Sequence, residues 1–110
     1  VNISLTGDFA PNMQVQMIRV VQEALTNIRR HAQASQVTIS AWENEGETII
    51  EVQDNGRGFT PSDRFAAARF GLRGMRERAE SIGADFQVTS PPEGGTTVRL
   101  RIPYVEKVGA

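Results

Sequence analysis

VTISAWENEGETIIEVQDNGRGF, residues 37–59, decides how the chain folds. Val37, Ile39 and Ala41 alternate with polar neighbours, the pattern of a half-buried strand over residues 36–43. Glu45-Gly46-Glu47 reads as a hairpin turn, and residues 47–53 return as a second, more buried strand. The apolar run then stops at DNGRGF, residues 54–59. Asp, Asn and Gly in this order favour the positive φ angles of tight turns. The same six residues could equally place the Asp54 carboxylate against a ligand. This stretch alone leaves both readings open.

Before the hairpin, Val1, Ile3 and Leu5 alternate as a strand, and Pro11 and Asn12 mark a helix start with Asn12 as its cap. From about residue 12 to 32 the spacing turns helical. Ile18, Val21, Leu25, Ile28 and Ala32 fall 3, 4, 3 and 4 apart and predict one apolar stripe. After DNGRGF, weak periodicity and Pro61 predict a long loop to about Phe70, a length usually tied to function. Leu72, Met75, Ala79 and Ile82 predict a second amphipathic helix ended by Gly83. Phe86 and Val88 mark a strand, residues 91–95 a turn, and Val98, Leu100 and Ile102 a last strand stopped by Pro103. Strand pairs joined by short turns, with two helices between them, predict an α+β sandwich with a sheet covered on one face.

With 110 residues, 39% of them apolar, the chain suits a single domain, 1–110, with one modest core. There is no Cys and only one His, which excludes a disulfide framework, a thiolate metal site and a His-rich one. No run is long enough to span a membrane and VNISLTGDF lacks a signal layout, so a cytoplasmic domain is expected, compatible with an integral inner-membrane parent. The only lysine is Lys107, which excludes a P-loop and a eukaryotic-type protein kinase.

The net charge is −1 but unevenly spread. Arg19, Arg29 and Arg30 cluster in one segment, and Arg57, Arg64, Arg69, Arg73, Arg76 and Arg78 in another. Residues 32–56 between them hold five acids and no base. The two basic segments would attract an anionic ligand if they meet in space. Few aromatics accompany the arginines, so a nucleic-acid partner is not expected. Arg76 and Arg78 are expected to face solvent or a partner domain.

Glu23, Asn27 and His31 are spaced by four on the first helix, with Arg30 beside them. At about 100° per residue they form a stripe of their own, centred roughly 140° around the helix from the apolar one. The stripe is either plain solvated surface or chemistry. A carboxylate can hold a water or hydroxyl, an Asn oxygen suits Mg²⁺, and His and Arg donate to phosphate.

QEALTNIRRHAQA (22–34) resembles the N box of sensor histidine kinases of the nitrate-sensor and desaturase-regulator subfamily. DNGRGF resembles that family's first Gly box, FGLRGMRERAESIGA (70–84) its second, and GGTTVRLRIP (94–103) its closing Thr-containing strand. The four blocks stand in family order across residues 22–103. The wider superfamily is the Bergerat-fold ATPases. The resemblance implies a two-layer sandwich with a mixed, mostly antiparallel sheet and ATP held between the N-box helix and a lid.

Residue by residue, the resemblance implies that Asn27 ligates the Mg²⁺ bridging the phosphates. Glu23 takes the superfamily's catalytic acid position, either orienting a water of the metal or assisting an attacking imidazole. The commoner histidine-kinase N box has a second Asn where His31 stands, but His is usual in this subfamily. His31 and Arg30 would touch phosphate. Asp54 would read adenine, with Gly56 and Gly58 letting the backbone approach. Thr96, or its neighbour Thr97, would help hold the base. Gly71, Leu72, Arg73, Gly74 and Met75 would form the phosphate-facing start of the second helix. Residues 60–70 would be the lid, with Arg64 or Arg69 reaching the γ-phosphate.

The expected cofactors are ATP and Mg²⁺. The expected partners are the kinase's own dimerisation and His phosphoacceptor domain and a response regulator. Alone the domain is expected to be a monomer that does not phosphorylate efficiently, whereas its parent is expected to be a homodimer. A serine protein kinase of the anti-sigma type with the same fold, or a degenerate nucleotide-binding module, is the alternative.

Overall fold

The computed structural model describes residues 2–4, 11–56, 71–90 and 94–103. Strand β1 (Asn2–Ser4) precedes helix α1 (Pro11–Asn27), which runs on into a π-helical turn (Ile28–Ala32). The hairpin β2 (Val37–Asn44) and β3 (Glu47–Asp54) follows. Helix α2 (Leu72–Ser81) leads to β4 (Asp85–Thr89) and β5 (Thr96–Pro103). The five strands form one sheet in the order β1-β2-β3-β5-β4. β1 pairs with β2 in parallel, and every other pairing is antiparallel. This is the α+β sandwich expected from the element order, with the mixed, mostly antiparallel sheet that the family resemblance implies.

The hairpin turn is as tight as its sequence predicts: Asn44 pairs with Glu47, and Glu45 and Gly46 both take positive φ, 50° and 79°. The pairings then set which side chains share a face. Ala41, Ile50, Leu100 and Phe86 form one cross-strand row, and Ile39, Val52, Val98 and Val88 the next. Both rows join the core that α1 covers with Met17, Val20 and Ala24, and α2 with Met75 and Ala79. Burying such side chains contributes about 1.5–3 kcal/mol for each large one. The opposite face carries Trp42 and Ile49 together with the Arg99–Glu51 and Arg101–Glu47 ion pairs. Partly exposed pairs of this kind contribute only about 0–1 kcal/mol.

The first helix departs from expectation in three ways. Pro11, not Asn12, is its first residue, a position where the missing N–H costs nothing. Its buried residues are Met17, Val20 and Ala24, with Met13 partly buried one turn earlier. Ile18, expected in the core, is 56% exposed, while Val21, Leu25 and Ile28 flank the core. The helix carries two adjoining apolar stripes, so its packing partners choose the face, and small Ala24 permits close approach. Finally, the α-helix stops at Asn27 and widens into the π-turn, which ends at Gln33 in the left-handed region with φ 52°. Such widened turns recur at functional sites.

Candidate nucleotide-binding site

Asp54 ends β3 and lies directly opposite Thr96, at the start of β5. Both continue the core-facing rows of their strands, so they sit at the end of the helix-covered face. Thr97 pairs with Gln53 and belongs to the other face; of the two threonines, Thr96 is the neighbour of Asp54. The Asp54 side chain is buried at 6% exposure, and its Oδ1 accepts the Gly56 N–H at 2.7 Å. Asp54-Asn55-Gly56 therefore both bends the chain and seats a buried carboxylate.

Two further parts of this corner carry no more than a turn signal in the sequence. Asn55 Oδ1 accepts the N–H groups of Ser35 and Gln36, both at 3.0 Å, and its Nδ2 donates to Ser35 Oγ at 2.9 Å. The Asp54–Gly56 turn is thereby tied to the segment leaving the π-turn. From the other side, the Gly95 N–H donates to the Gly56 carbonyl at 2.6 Å. A Cβ on Gly95 would stand 2.8 Å from the Asp54 carbonyl oxygen, and one on Gly94 3.1 Å from that of Gly56. Their φ angles, +85° and +108°, also favour glycine. The only local signal of this close approach is the Gly-Gly pair itself.

Because the core stripe of α1 is Met13, Met17, Val20 and Ala24, the polar stripe is not opposite it. Glu23 and Asn27 lie on its shoulder, roughly 50–90° away. That shoulder faces α2. Arg78 Nε donates to Glu23 Oε1 at 3.0 Å, and Arg78 Nη1 reaches Gln16 Oε1 at 3.5 Å. A Cβ on Gly74 would lie 4.0 Å from Glu23 Oε2. Arg78 is thus engaged with α1 rather than turned to solvent, and Arg76 lies over the Phe86 ring, 5.3 Å from its centroid.

Gly71 precedes α2 with φ +63°, and its carbonyl accepts the Met75 N–H at 3.2 Å. Leu72 packs partly against the core. Met75, expected at the ligand, is fully enclosed in the core, and its N–H is taken by Gly71; it belongs under the site, not at its surface. Arg73 is 89% exposed and pairs with Glu77 at 3.0 Å. Arg30 is exposed in the π-turn that also contains His31. The side chain of His31, Gly58, and the expected lid 60–70 with Arg64 and Arg69 lie outside the described residues.

Compared with known proteins, residues 12–106 match the family described as histidine kinase-, DNA gyrase B-, and HSP90-like ATPase. The chain is 38% identical over 87 residues to the sensor protein VraS of Staphylococcus epidermidis, covering 79% of this chain and 25% of that protein. It thus spans about a quarter of the length of the curated relatives it matches. Among solved structures, the histidine kinase domain of a blue-light activated kinase from Erythrobacter litoralis superimposes with a TM-score of 0.77 at 27% identity, over 93% of this chain and 52% of that one. The ATP binding domain of PrrB from Mycobacterium tuberculosis, at 24% identity, shares the fold with a TM-score of 0.72 over 96% of this chain and 82% of its own. The fold, the order of the four motif blocks and these matches agree: the chain belongs to the histidine kinase-, DNA gyrase B-, and HSP90-like ATPase family, as an ATP-binding domain of the sensor histidine kinase kind.

Proposed function

We propose that this domain binds Mg-ATP and donates the γ-phosphoryl group to a histidine on a separate dimerisation domain, from which a response-regulator Asp takes it. The observation that carries the nucleotide reading is Asp54, a carboxylate buried at 6% exposure beside Thr96, on backbone pressed by Gly94 and Gly95. Adenine presents its N6 amine, a donor that suits this acceptor. Guanine presents O6, which would leave two acceptors facing each other out of water. Thr96 is the hydroxyl next to the base; Gly56 brings backbone close to it.

At the phosphate end, Asn27, half-buried on the α1 shoulder beside Glu23, would hold Mg²⁺ through its side-chain oxygen. No group of three or more His, Asp or Glu among the described residues could hold a metal. A single amide oxygen therefore suits an ion that keeps several waters and takes its other ligands from phosphates. Bound there, Mg²⁺ supplies charge neutralisation. Arg30, His31, Arg73 and the first turn of α2, opened by Gly71 and Gly74, donate to phosphate oxygens.

In the transfer, a ring nitrogen of the substrate histidine attacks the γ-phosphorus with its lone pair. A P–N bond forms while the bond to the β,γ-bridging oxygen breaks, and ADP leaves with that electron pair. The proton on the other ring nitrogen passes to a carboxylate, a role that falls to Glu23. A regulator carboxylate then attacks the same phosphorus, the P–N bond breaks, and the imidazole regains a proton. Without the substrate histidine held nearby, the isolated domain transfers inefficiently, because proximity supplies much of the rate.

Calorimetric titration with ATP and GTP, with and without Mg²⁺, tests this reading alongside Asp54→Asn. Asn can still accept the Gly56 N–H, so the variant should fold. Wild type should prefer ATP, more strongly with Mg²⁺, and the variant should bind it at least about ten-fold more weakly. Equal ATP affinity in the two proteins would remove Asp54 from the adenine site.

A further inference from the structure

We infer that Arg78 is a positioning residue for phosphoryl transfer, holding the Glu23 carboxylate toward the phosphate end of the site. This inference rests on the function proposed above and extends it to a residue outside the nucleotide contacts. Gly74 and Arg78 are four apart on α2 and so share the face turned to α1. Arg78 Nε fixes one oxygen of Glu23 at 3.0 Å. The other oxygen lies against Gly74, where a Cβ would be 4.0 Å away. A methyl group at position 74 would meet the second oxygen at ordinary van der Waals distance, so the hold on the carboxylate comes from Arg78, whose absence would release the first oxygen.

Arg78 is itself aligned from α1 by a second acceptor, Gln16 Oε1, at 3.5 Å. Gln16 and Glu23 are seven residues apart, two turns along the same helix face. Their arrangement uses the fork of a guanidinium, with Nε directed to one acceptor and Nη1 to the other, a geometry lysine cannot reproduce. As a fold-holding contact the pair is weak. Each side chain is 36% exposed, and Met75 and Ala79 already bury α2 in the common core. What Arg78 removes is the rotamer freedom of Glu23, and a misplacement of about 1 Å in a reacting group can lower a rate by up to about 100-fold.

The test uses the intact kinase carrying this domain and γ-labelled ATP, with Arg78→Met, Arg78→Lys, Glu23→Gln and the double variant Glu23→Gln/Arg78→Met. Arg78→Met should lower the phosphorylation rate at saturating ATP by about ten-fold or more, with the ATP Kd changed by less than about three-fold. The melting temperature should be unchanged. Arg78→Lys should recover only part of the rate; it carries the test should Arg78→Met fail to fold. In the Glu23→Gln background, Arg78→Met should add no further loss, because it acts through Glu23. Independent, multiplying losses would overturn the inference, as would a full rate in Arg78→Met or in Glu23→Gln. Should wild type neither bind ATP nor become phosphorylated, the functional reading falls and this inference falls with it.

Discussion

At the scale of single residues, the two glycines that look alike in sequence are held to different standards. Gly71 has φ +63° with nothing within 4 Å of a built Cβ, so alanine there meets only backbone strain. Gly95 has φ +85°, and its Cβ would stand 2.8 Å from the Asp54 carbonyl oxygen, against backbone that cannot swing away. Gly71→Ala should therefore cost about 1 kcal/mol. Gly95→Ala should cost about 2–4 kcal/mol, since strain and overpacking add. Urea unfolding of the two variants checks the ranking, and Gly95→Ala should also lose ATP affinity by displacing Asp54. Position 54 was singled out because DNGRGF resembles the family's first Gly box; the strand-then-turn pattern alone left its carboxylate's place open. The demand on Gly95 was not legible, because it comes from the Asp54 backbone, 41 positions away.

At the scale of elements, the strands and α2 were legible because their apolar residues leave one choice of face. Val98, Leu100 and Ile102 alternate with Thr97, Arg99 and Arg101, so a one-residue slip would bury two arginines. Helix α1 offered two choices. Ile18, Val21, Leu25 and Ile28 make a stripe, but Met13, Met17, Val20 and Ala24 make another, and the latter packs on the sheet and α2. Periodicity identifies a helix without saying which of two apolar faces its neighbours will cover. The consequence is measurable: Met17→Ala should destabilise the domain by about 2–4 kcal/mol. Ile18→Ala should stay within about 0.5 kcal/mol of wild type. A reversed order in thermal or chemical unfolding would mean that α1 is rotated from the orientation described. That rotation also brings Glu23 beside α2 instead of opposite the core.

At the scale of the whole molecule, the proposed site draws on parts that no local window contains. Glu23 and Arg78 are 55 residues apart in sequence, and the spacing rules that singled out Glu23 are blind to the partner that packing provides. Asp54 and Thr96 come from neighbouring strands at one end of the sheet, while Glu23 and Asn27 come from the helix above it. A ligand that touches both would bridge layers otherwise joined by the apolar core, and so should be linked to global stability. At about 100 times its Kd, Mg-ATP should stabilise the folded state by about 2.7 kcal/mol. For a domain of this size that corresponds to a rise in Tm of roughly 10–20 °C. GTP at the same concentration should give a small fraction of that rise. Asp54→Asn should lose most of the ATP-dependent rise while keeping the ligand-free Tm near that of wild type. A ligand bound through its phosphates alone would instead give equal shifts with ATP and GTP in both proteins, so one set of melting curves separates recognition of the base from simple attraction of the arginines for an anion.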